Sequence, residues 1–466
     1  WVLSTVYRDT LFTATKGKFT NKEEGEQSFA QIEGKPFTIT DVQKKAGREA
    51  PPHLYDLTSL QVDCNKKFSM SAETTLNVIQ SLYEKKLTTY PRVDTQYLSD
   101  DIYPKCAATL RGLRGYEAFT QPLAGKPLPK SKKVFDSSKV TDHHAIIPTG
   151  VPAQSLTDLE RNVYDLIARR FISVFYPDCK FSTTTATGRV DEVDFKVSGK
   201  QILDPGWRVL YAKDVPQDDN DSSKQQDEER TLPAFTKGES GPHKPTLTEK
   251  WTSPPPYYTE ATLLRAMETA GKFVEDEELR AALKENGIGR PSSRANIIET
   301  LFKRHYIRRE RKKIVATPTG IELIGIIKEE LLKSCELTGI WEKKLRDIEH
   351  KKYDAGQFID ELKQQITTIV NDVLADNSNR HVAITTDEDL KKKVKKKTAT
   401  PKPAAQPKAK PAKTAPKKEE QTLPADDTII GKVCPVCGKG HIIKGKTAYG
   451  CDRWKEGCTF RLQFKQ

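Results

Sequence analysis

The chain has 466 residues, with 77 Lys and Arg against 64 Asp and Glu, a formal net charge of +13 and a sequence pI near 9.1. This length allows about three domains, and the basic balance points to a polyanionic partner, either nucleic acid or an anionic membrane surface. No apolar run approaches the roughly 18 residues of a membrane helix, Trp1-Val2-Leu3-Ser4 is not a signal peptide, and the cysteines do not form a secreted disulfide framework.

Residues 1–57 alternate polar and apolar side chains in short stretches such as Phe37-Thr38-Ile39-Thr40, which reads as strands. Trp1 opens directly onto this pattern, so the chain is expected to start inside a larger protein. From Ser71 to Lys86 the period changes: Leu76, Ile79, Leu82 and Tyr83 recur at helical spacing, with Ser71 as N-cap. Residues 155–176 read as a second helix, and Lys180 to Ala212 alternates like strands again. Gln217 to Arg230 is acidic and unpatterned, a solvated loop. Helices return at Glu260–Gly271, Ser292–Arg304, Pro318–Leu332 with Thr317 as cap, and Ala355–Leu374. Lys391 to Lys418 is almost wholly Lys, Pro and Ala, a composition that cannot offset its ordering entropy and reads as disordered.

Four runs carry chemistry. The first is Leu87-Thr88-Thr89-Tyr90-Pro91-Arg92-Val93-Asp94. A tyrosine hydroxyl has an ordinary pKa of about 10, so as a nucleophile it needs help, and Arg92 supplies a cation two residues on. Pro91 biases Tyr90 away from helical geometry, so a helix is expected to end here and hand Tyr90 to a cleft. Taken alone, Tyr90 reads as a core aromatic at a helix end; the runs that follow change that reading. The second run is Thr141-Asp142-His143-His144-Ala145-Ile146-Ile147-Pro148-Thr149, whose histidines could contact phosphate or orient a proton, or be structural.

The third comes in two parts, Pro254-Pro255-Pro256-Tyr257-Tyr258-Thr259-Glu260-Ala261 and Gly287-Ile288-Gly289-Arg290-Pro291-Ser292-Ser293-Arg294. Gly287 and Gly289 permit close backbone approach, and Ser292 and Ser293 can cap the following helix. A helix N-terminus flanked by Arg290 and Arg294 suits phosphate; a capped helix with solvated arginines is the plainer reading. The fourth is Cys434-x2-Cys437-x13-Cys451-x6-Cys458, whose four thiolates suit tetrahedral, structural Zn2+. Tyr449, Trp454 and Phe460 alternate there with Lys446, Arg453, Lys455 and Arg461, suiting single-stranded nucleic acid or simply packing the ribbon. Gly440 to Thr447 matches the P-loop pattern, but no phosphate-facing helix fits before Cys451, so nucleotide binding is rejected.

Together and in this order, these motifs resemble the type IA DNA topoisomerases, on the bacterial topoisomerase III branch, over about Pro36 to Asn371. The resemblance implies an α+β multidomain gate-and-arch fold. Residues 1–57 and 153–250 would form a β-rich arch or hinge domain, and 58–152 a helical domain carrying the nucleophile. Residues 251–380 would be a helical DNA-binding gate, 381–427 a disordered linker and 428–466 a zinc ribbon. It further implies ATP-independent breakage, passage and rejoining of single-stranded DNA through a 5′-phosphotyrosyl bond at Tyr90. Arg92 would stabilise the developing phosphorane charge, and His143 would sit at the scissile region. Tyr258, Glu260, Arg290, Ser293 and Arg294 would contact the strand. A serine stands at Ser293 where the family's motif usually has threonine.

The family's Mg2+ is held by carboxylates of an N-terminal Toprim domain that this chain lacks; Asp191-Glu192-Val193-Asp194 lies in the wrong place to replace them. The chain alone is therefore expected to bind DNA without full activity. A monomer without membrane attachment, working in the bacterial cytoplasm at the nucleoid, completes the expectation. The alternatives are a non-catalytic single-strand clamp and a zinc-ribbon transcription factor.

Overall fold

The computed structural model describes residues 1–211, 231–376, 382, 384, 429–445, 448–456 and 458–463; the acidic loop at 217–230 and the Lys391–Lys418 run lie outside them. Contacts divide the chain into two compact units, Trp1–Val394 and Lys395–Gln466.

The first unit contains a seven-stranded antiparallel sheet built from β1 (Val2–Tyr7), β2 (Thr10–Lys18), β3 (Phe37–Glu49), β4 (Cys179–Val190), β5 (Val193–Asp204), β6 (Ser240–Gly241) and β7 (Lys244–Thr248), in the order β6-β3-β4-β5-β2-β1-β7. Strands from both ends of this stretch of chain therefore share one sheet. The β1–β2 hairpin closes on Arg8 and Asp9, both at positive φ, a two-residue turn that suits the strands' twist. Asp191 and Glu192 form the corresponding turn of β4–β5, with Asp191 at φ 52° and bound to Lys35 Nζ at 2.8 Å, so this acidic run closes a hairpin. Phe12, Phe37 and Phe195 are fully buried beneath the sheet, Phe12 and Phe37 with centroids 4.9 Å apart. One helix, α1 (Lys22–Ile32), interrupts the stretch that reads as strands. Its signal was local: the Asn21 side chain caps the Glu24 N–H at 2.9 Å, ahead of an acidic first turn.

The helical layer that follows holds α2 (Leu57–Phe68), α3 (Ala72–Glu84), α4 (Tyr103–Gly112), the single turn α5 (Glu117–Thr120) and α6 (Asp158–Ser173). Its core gathers Leu57, Leu60, Ile79, Leu82, Val163, Ile167 and Phe171. Ser71 caps α3, and α6 starts on a reciprocal cap between Thr157 and Glu160. Periodicity had not exposed α2, because it is buried on nearly every side: Thr58, Ser59 and Gln61 are as hidden as Leu57 and Leu60.

The remaining helices of this unit are α7 (Glu260–Glu268), α8 (Glu277–Asn286), α9 (Pro291–Lys303), α10 (Pro318–Ile326), α11 (Glu336–Glu349) and α12 (Ala355–Leu374). A hairpin of β8 (Ile307–Glu310) and β9 (Lys313–Ala316) lies between α9 and α10. The helix read as Pro318–Leu332 stops at Ile326, and a 3-10 turn follows at Glu330–Lys333. Two glycines and a run of isoleucines give this segment poor helix propensity. No described residue of α12 is buried; Ile359, Ile366, Val370, Val373 and Leu374 all face outward.

The second unit is a small ribbon of β10 (Ile442–Lys444), β11 (Ala448–Cys451) and β12 (Arg461–Gln463) over a core of Ile429, Ile442 and Tyr449. The P-loop-like run falls on the β10–β11 hairpin, with Lys446 and Thr447 outside the described residues.

Candidate active site and nucleic-acid interface

Helix α3 ends at Glu84, and Lys86 turns the chain at φ 60°. Tyr90 thus lies beyond the helix on an extended segment, not at the helix's last turn. That segment is held by the second motif. Thr89 N–H donates to the Ile147 carbonyl at 3.0 Å, Thr149 N–H to the Leu87 carbonyl at 3.0 Å, and Ile147 N–H to Thr89 Oγ1 at 3.0 Å. Past the tyrosine, the Val93 carbonyl accepts the Leu57 N–H at 3.1 Å.

This short ladder brings two sequence-distant candidates together. The half-buried Tyr90 ring packs against His143 with centroids 4.4 Å apart, and edge-on against Tyr83 at 5.6 Å. His143 and Arg92 are exposed. His144 turns the other way: its Nδ1–H donates to the Ala145 carbonyl at 2.8 Å, and burial pushes its pKa below the ordinary value. Of the two histidines, only His143 contacts the tyrosine ring.

The gate candidates separate into two groups. Arg290 is exposed at the N-cap position of α9, with Pro291 at the first position and no side-chain cap; Ser292 and Ser293 lie within the first turn, not ahead of it. Ser293 Oγ donates to the Arg290 carbonyl at 3.0 Å. Tyr258 is 47% exposed, and its carbonyl is tied to Ile314 N–H at 2.7 Å.

Glu260 and Arg294 are instead buried, at 5% and 3% exposure. Glu260 accepts the Ala72 N–H at 2.9 Å and Arg309 Nε at 2.7 Å, and Arg309 also binds Glu299. Arg294 donates from Nε to the Gly289 carbonyl at 3.0 Å and from Nη1 to Thr58 Oγ1 at 2.9 Å. Burial pushes its guanidinium pKa below the ordinary value. Gly287 and Gly289 both sit at positive φ, and a Cβ on Gly287 would lie 2.3 Å from the Met267 carbonyl oxygen, so this loop needs its glycines.

In the second unit, Cys434, Cys437, Cys451 and Cys458 offer sulfurs that all lie within 4.8 Å of one another, two of the residues being buried. The N–H groups of Lys439 and Gly440 draw the Cys437 thiol down to about 6. Four converging sulfurs fit a tetrahedral Zn2+ with no open position.

A family model described as DNA topoisomerase matches residues 4–360. The chain belongs to this family. Among curated relatives, the DNA topoisomerase 3 of Bacillus cereus is 38% identical over 377 residues, 78% of this chain and 51% of that protein. Those of Bacillus licheniformis and Bacillus subtilis are each 36% identical, over 364 and 363 residues, 76% of this chain and 49% of theirs. The chain spans about half the length of these relatives. Full-length topoisomerase I from Thermotoga maritima has the same fold, with a TM-score of 0.58 and 21% identity over 79% of this chain and 58% of that one. The motif resemblance to bacterial type IA enzymes of the topoisomerase III kind thus holds for family and fold.

Within this family member, the sequence motifs located the tyrosine and its histidine neighbour. Sequence reasoning missed the side chains that hold the segments in place: Thr58, Asn65, Ser81, Glu160 and Arg309. Each is an ordinary polar residue in a helix or hairpin, and only its partner, often more than 40 positions away, marks it. The capping pair Thr157 and Glu160 was the one readable signal.

Proposed function

We propose that the protein to which this chain belongs breaks one DNA strand, passes another through the break and reseals it, with Tyr90 as the nucleophile. The observation that carries this reading is the packing of the Tyr90 ring against His143 on an extended segment fixed by the Leu87–Thr89 and Ala145–Thr149 ladder. The Tyr90 hydroxyl would lose its proton and bond to a backbone phosphorus, while the 3′-oxygen leaves and takes up a proton. His143, whose ring packs against Tyr90, would hydrogen-bond the scissile region or its acidic neighbours. Arg92, exposed two residues on, would meet the charge developing on the phosphorane. The 5′-phosphotyrosyl bond keeps the free energy of the broken phosphodiester, so resealing needs no ATP.

Arg290, Ser293 and Tyr258 would grip the backbone of the single strand at the start of α9. The four cysteines would hold structural zinc. Magnesium finds no match here: among the described residues, the cysteines are the one converging group of three or more His, Cys, Asp or Glu side chains. No step is therefore assigned to it. The arch and helical domains, with α6 counted in the helical domain and not in the arch segment 153–250, would act as a monomer at the bacterial nucleoid in the cytoplasm.

A second reading is a non-catalytic single-strand clamp, which would use the same Arg290 loop and ribbon without chemistry at Tyr90. Covalent trapping separates the two. Incubated with single-stranded DNA and Mg2+, alone and with the complementary part of a relative supplied in trans, the chain should give a denaturation-resistant adduct that Tyr90→Phe abolishes. No adduct under either condition leaves the clamp.

A further inference from the structure

The Tyr90 segment and the Arg290 loop belong to stretches about 200 positions apart, and the structure joins them through one face. On one side of the joint lie α2 and the start of α3; on the other lie α7 and α9. Between them sits a cluster of Val62, Ala72, Ala261, Leu264, Met267, Ala295 and Ile298. Three of its seven buried members are alanines, and Leu263, Ile288, Ile297 and Phe302 pack against it, partly buried.

Polar clamps close it at two places. At one, Glu260 accepts the Ala72 N–H at 2.9 Å, and Asn65 Oδ1 accepts the Ala261 N–H at 3.1 Å, so a side chain from each side meets a helix N-terminus of the other. At the second, Arg294 alone spans the joint. Its Nε holds the Gly289 carbonyl at 3.0 Å, just before Arg290, and its Nη1 reaches Thr58 Oγ1 at 2.9 Å. Thr58 follows Leu57, whose N–H holds the Val93 carbonyl at 3.1 Å. Asp56, the cap of α2, also takes Gln96 Nε2 at 2.9 Å. A chain of direct contacts thus runs from the loop that presents Arg290, through Arg294 and the first turn of α2, to the segment that carries Tyr90.

We infer that Arg294 is a positioning residue that fixes the Arg290 loop relative to Tyr90, and that it is not a DNA contact. The inference rests on the reading of Tyr90 as nucleophile only for its effect on cleavage; the coupling of loop and segment stands apart from it. A guanidinium suits the task because it can donate in several fixed directions, whereas lysine is a point donor. Misplacement of reacting groups by about 1 Å costs on the order of 100-fold in rate, so a loosened joint should reduce cleavage without loosening DNA.

The test uses the full chain with Arg294→Met, Thr58→Val, Thr58→Ser and Arg290→Ala. Affinity for a fluorescent single strand is measured against salt. Arg290→Ala should weaken binding and reduce the salt slope by about 0.7, the value for one lost phosphate contact on a single strand. Arg294→Met and Thr58→Val should leave that slope unchanged. Amide exchange in the same two variants should speed up together at Leu57 and in the Gly287–Arg290 loop, and Thr58→Ser, which keeps the acceptor, should restore wild-type exchange. At saturating DNA the adduct yield of Arg294→Met and Thr58→Val should fall about tenfold or more. A reduced salt slope in Arg294→Met, or exchange that changes on one side of the joint only, overturns the inference. A wild-type chain that gives no adduct even with the complementary part of a relative supplied in trans counts against Tyr90 chemistry, while the slope and exchange results still decide the role of Arg294.

Discussion

Replacing Glu160 by glutamine should loosen the turn that delivers Tyr90, although the two residues lie in separate helices and segments. Glu160 is 5% exposed and accepts four groups: Ser81 Oγ at 2.7 Å, Lys85 Nζ at 2.7 and 2.8 Å, Thr157 N–H at 3.0 Å and Thr157 Oγ1 at 3.1 Å. It therefore ties the last turn of α3 to the cap of α6. Hydrogen bonds to a charged group contribute about 1.5–3 kcal/mol each when buried. The Lys85 side chain is 42% exposed, which places that pair at the weak end, below about 1 kcal/mol. Glutamine keeps one acceptor and the shape, so the expected loss is about 1–2 kcal/mol; alanine should lose about 3.

Because the chain holds two compact units, for which one global unfolding free energy is not well defined, the assay is amide exchange, read at Leu87, Thr89 and the first turn of α6. A loss of 1–2 kcal/mol corresponds to protection falling about 5- to 30-fold. The pH dependence carries a sign. The Lys85 ammonium first, then the Thr157 N–H and the Ser81 hydroxyl, hold the Glu160 carboxyl down to about 2. A depressed folded pKa gives stability that is complete above the unfolded value of about 4.3. That stability is lost as pH falls from there through about 2. The gap between wild type and Glu160→Gln should thus be constant above pH 5 and close on acidification. Equal protection at pH 7, or a gap that widens as pH falls, refutes the reasoning.

Three other outcomes follow from the same structure. His144 should titrate below the ordinary 6.5 in an NMR pH series; the folded ladder favours its neutral form, so segment 141–149 should lose stability as pH drops below the unfolded value, and His144→Gln should remove that dependence. Gly287→Ala should cost more than about 1 kcal/mol, because φ is +63° and the new Cβ meets the Met267 carbonyl at 2.3 Å; single-strand affinity should fall with it as the Arg290 loop shifts. Elemental analysis should find one zinc per chain, and chelation or Cys451→Ala should unfold the ribbon while the first unit keeps its melting temperature, since the apolar cluster of Ile429, Ile442 and Tyr449 is too small a core alone.

The motifs around Tyr90, His143, Arg290 and the cysteines stand out in the sequence because each is a short contiguous run, but for the first three it is their combination and order, not their local chemistry, that suggests a role. Spacing alone sets a zinc knuckle, a proline-guided turn or a glycine loop. Strong amphipathic helices such as α3, α6 and α12 were legible for a similar reason, their caps and apolar rows lying within a few turns. Helix α2 and the β8–β9 hairpin were not, since burial on all sides erases period in the first and the second is only four residues a strand. What only tertiary structure decided is which charged residues face solvent. Glu260 and Arg294 sit in the same motifs as Tyr258 and Arg290, two and four positions away respectively, and the motif resemblance gave all four to DNA. Arg290 is the extended N-cap residue of α9 and stays exposed, whereas Arg294, inside the helix, is drawn in by the Gly289 carbonyl and Thr58 Oγ1, and the Ala72 N–H draws Glu260 into the joint. Direction relative to a partner about 190 or more positions distant is a property of packing, and no local spacing encodes it.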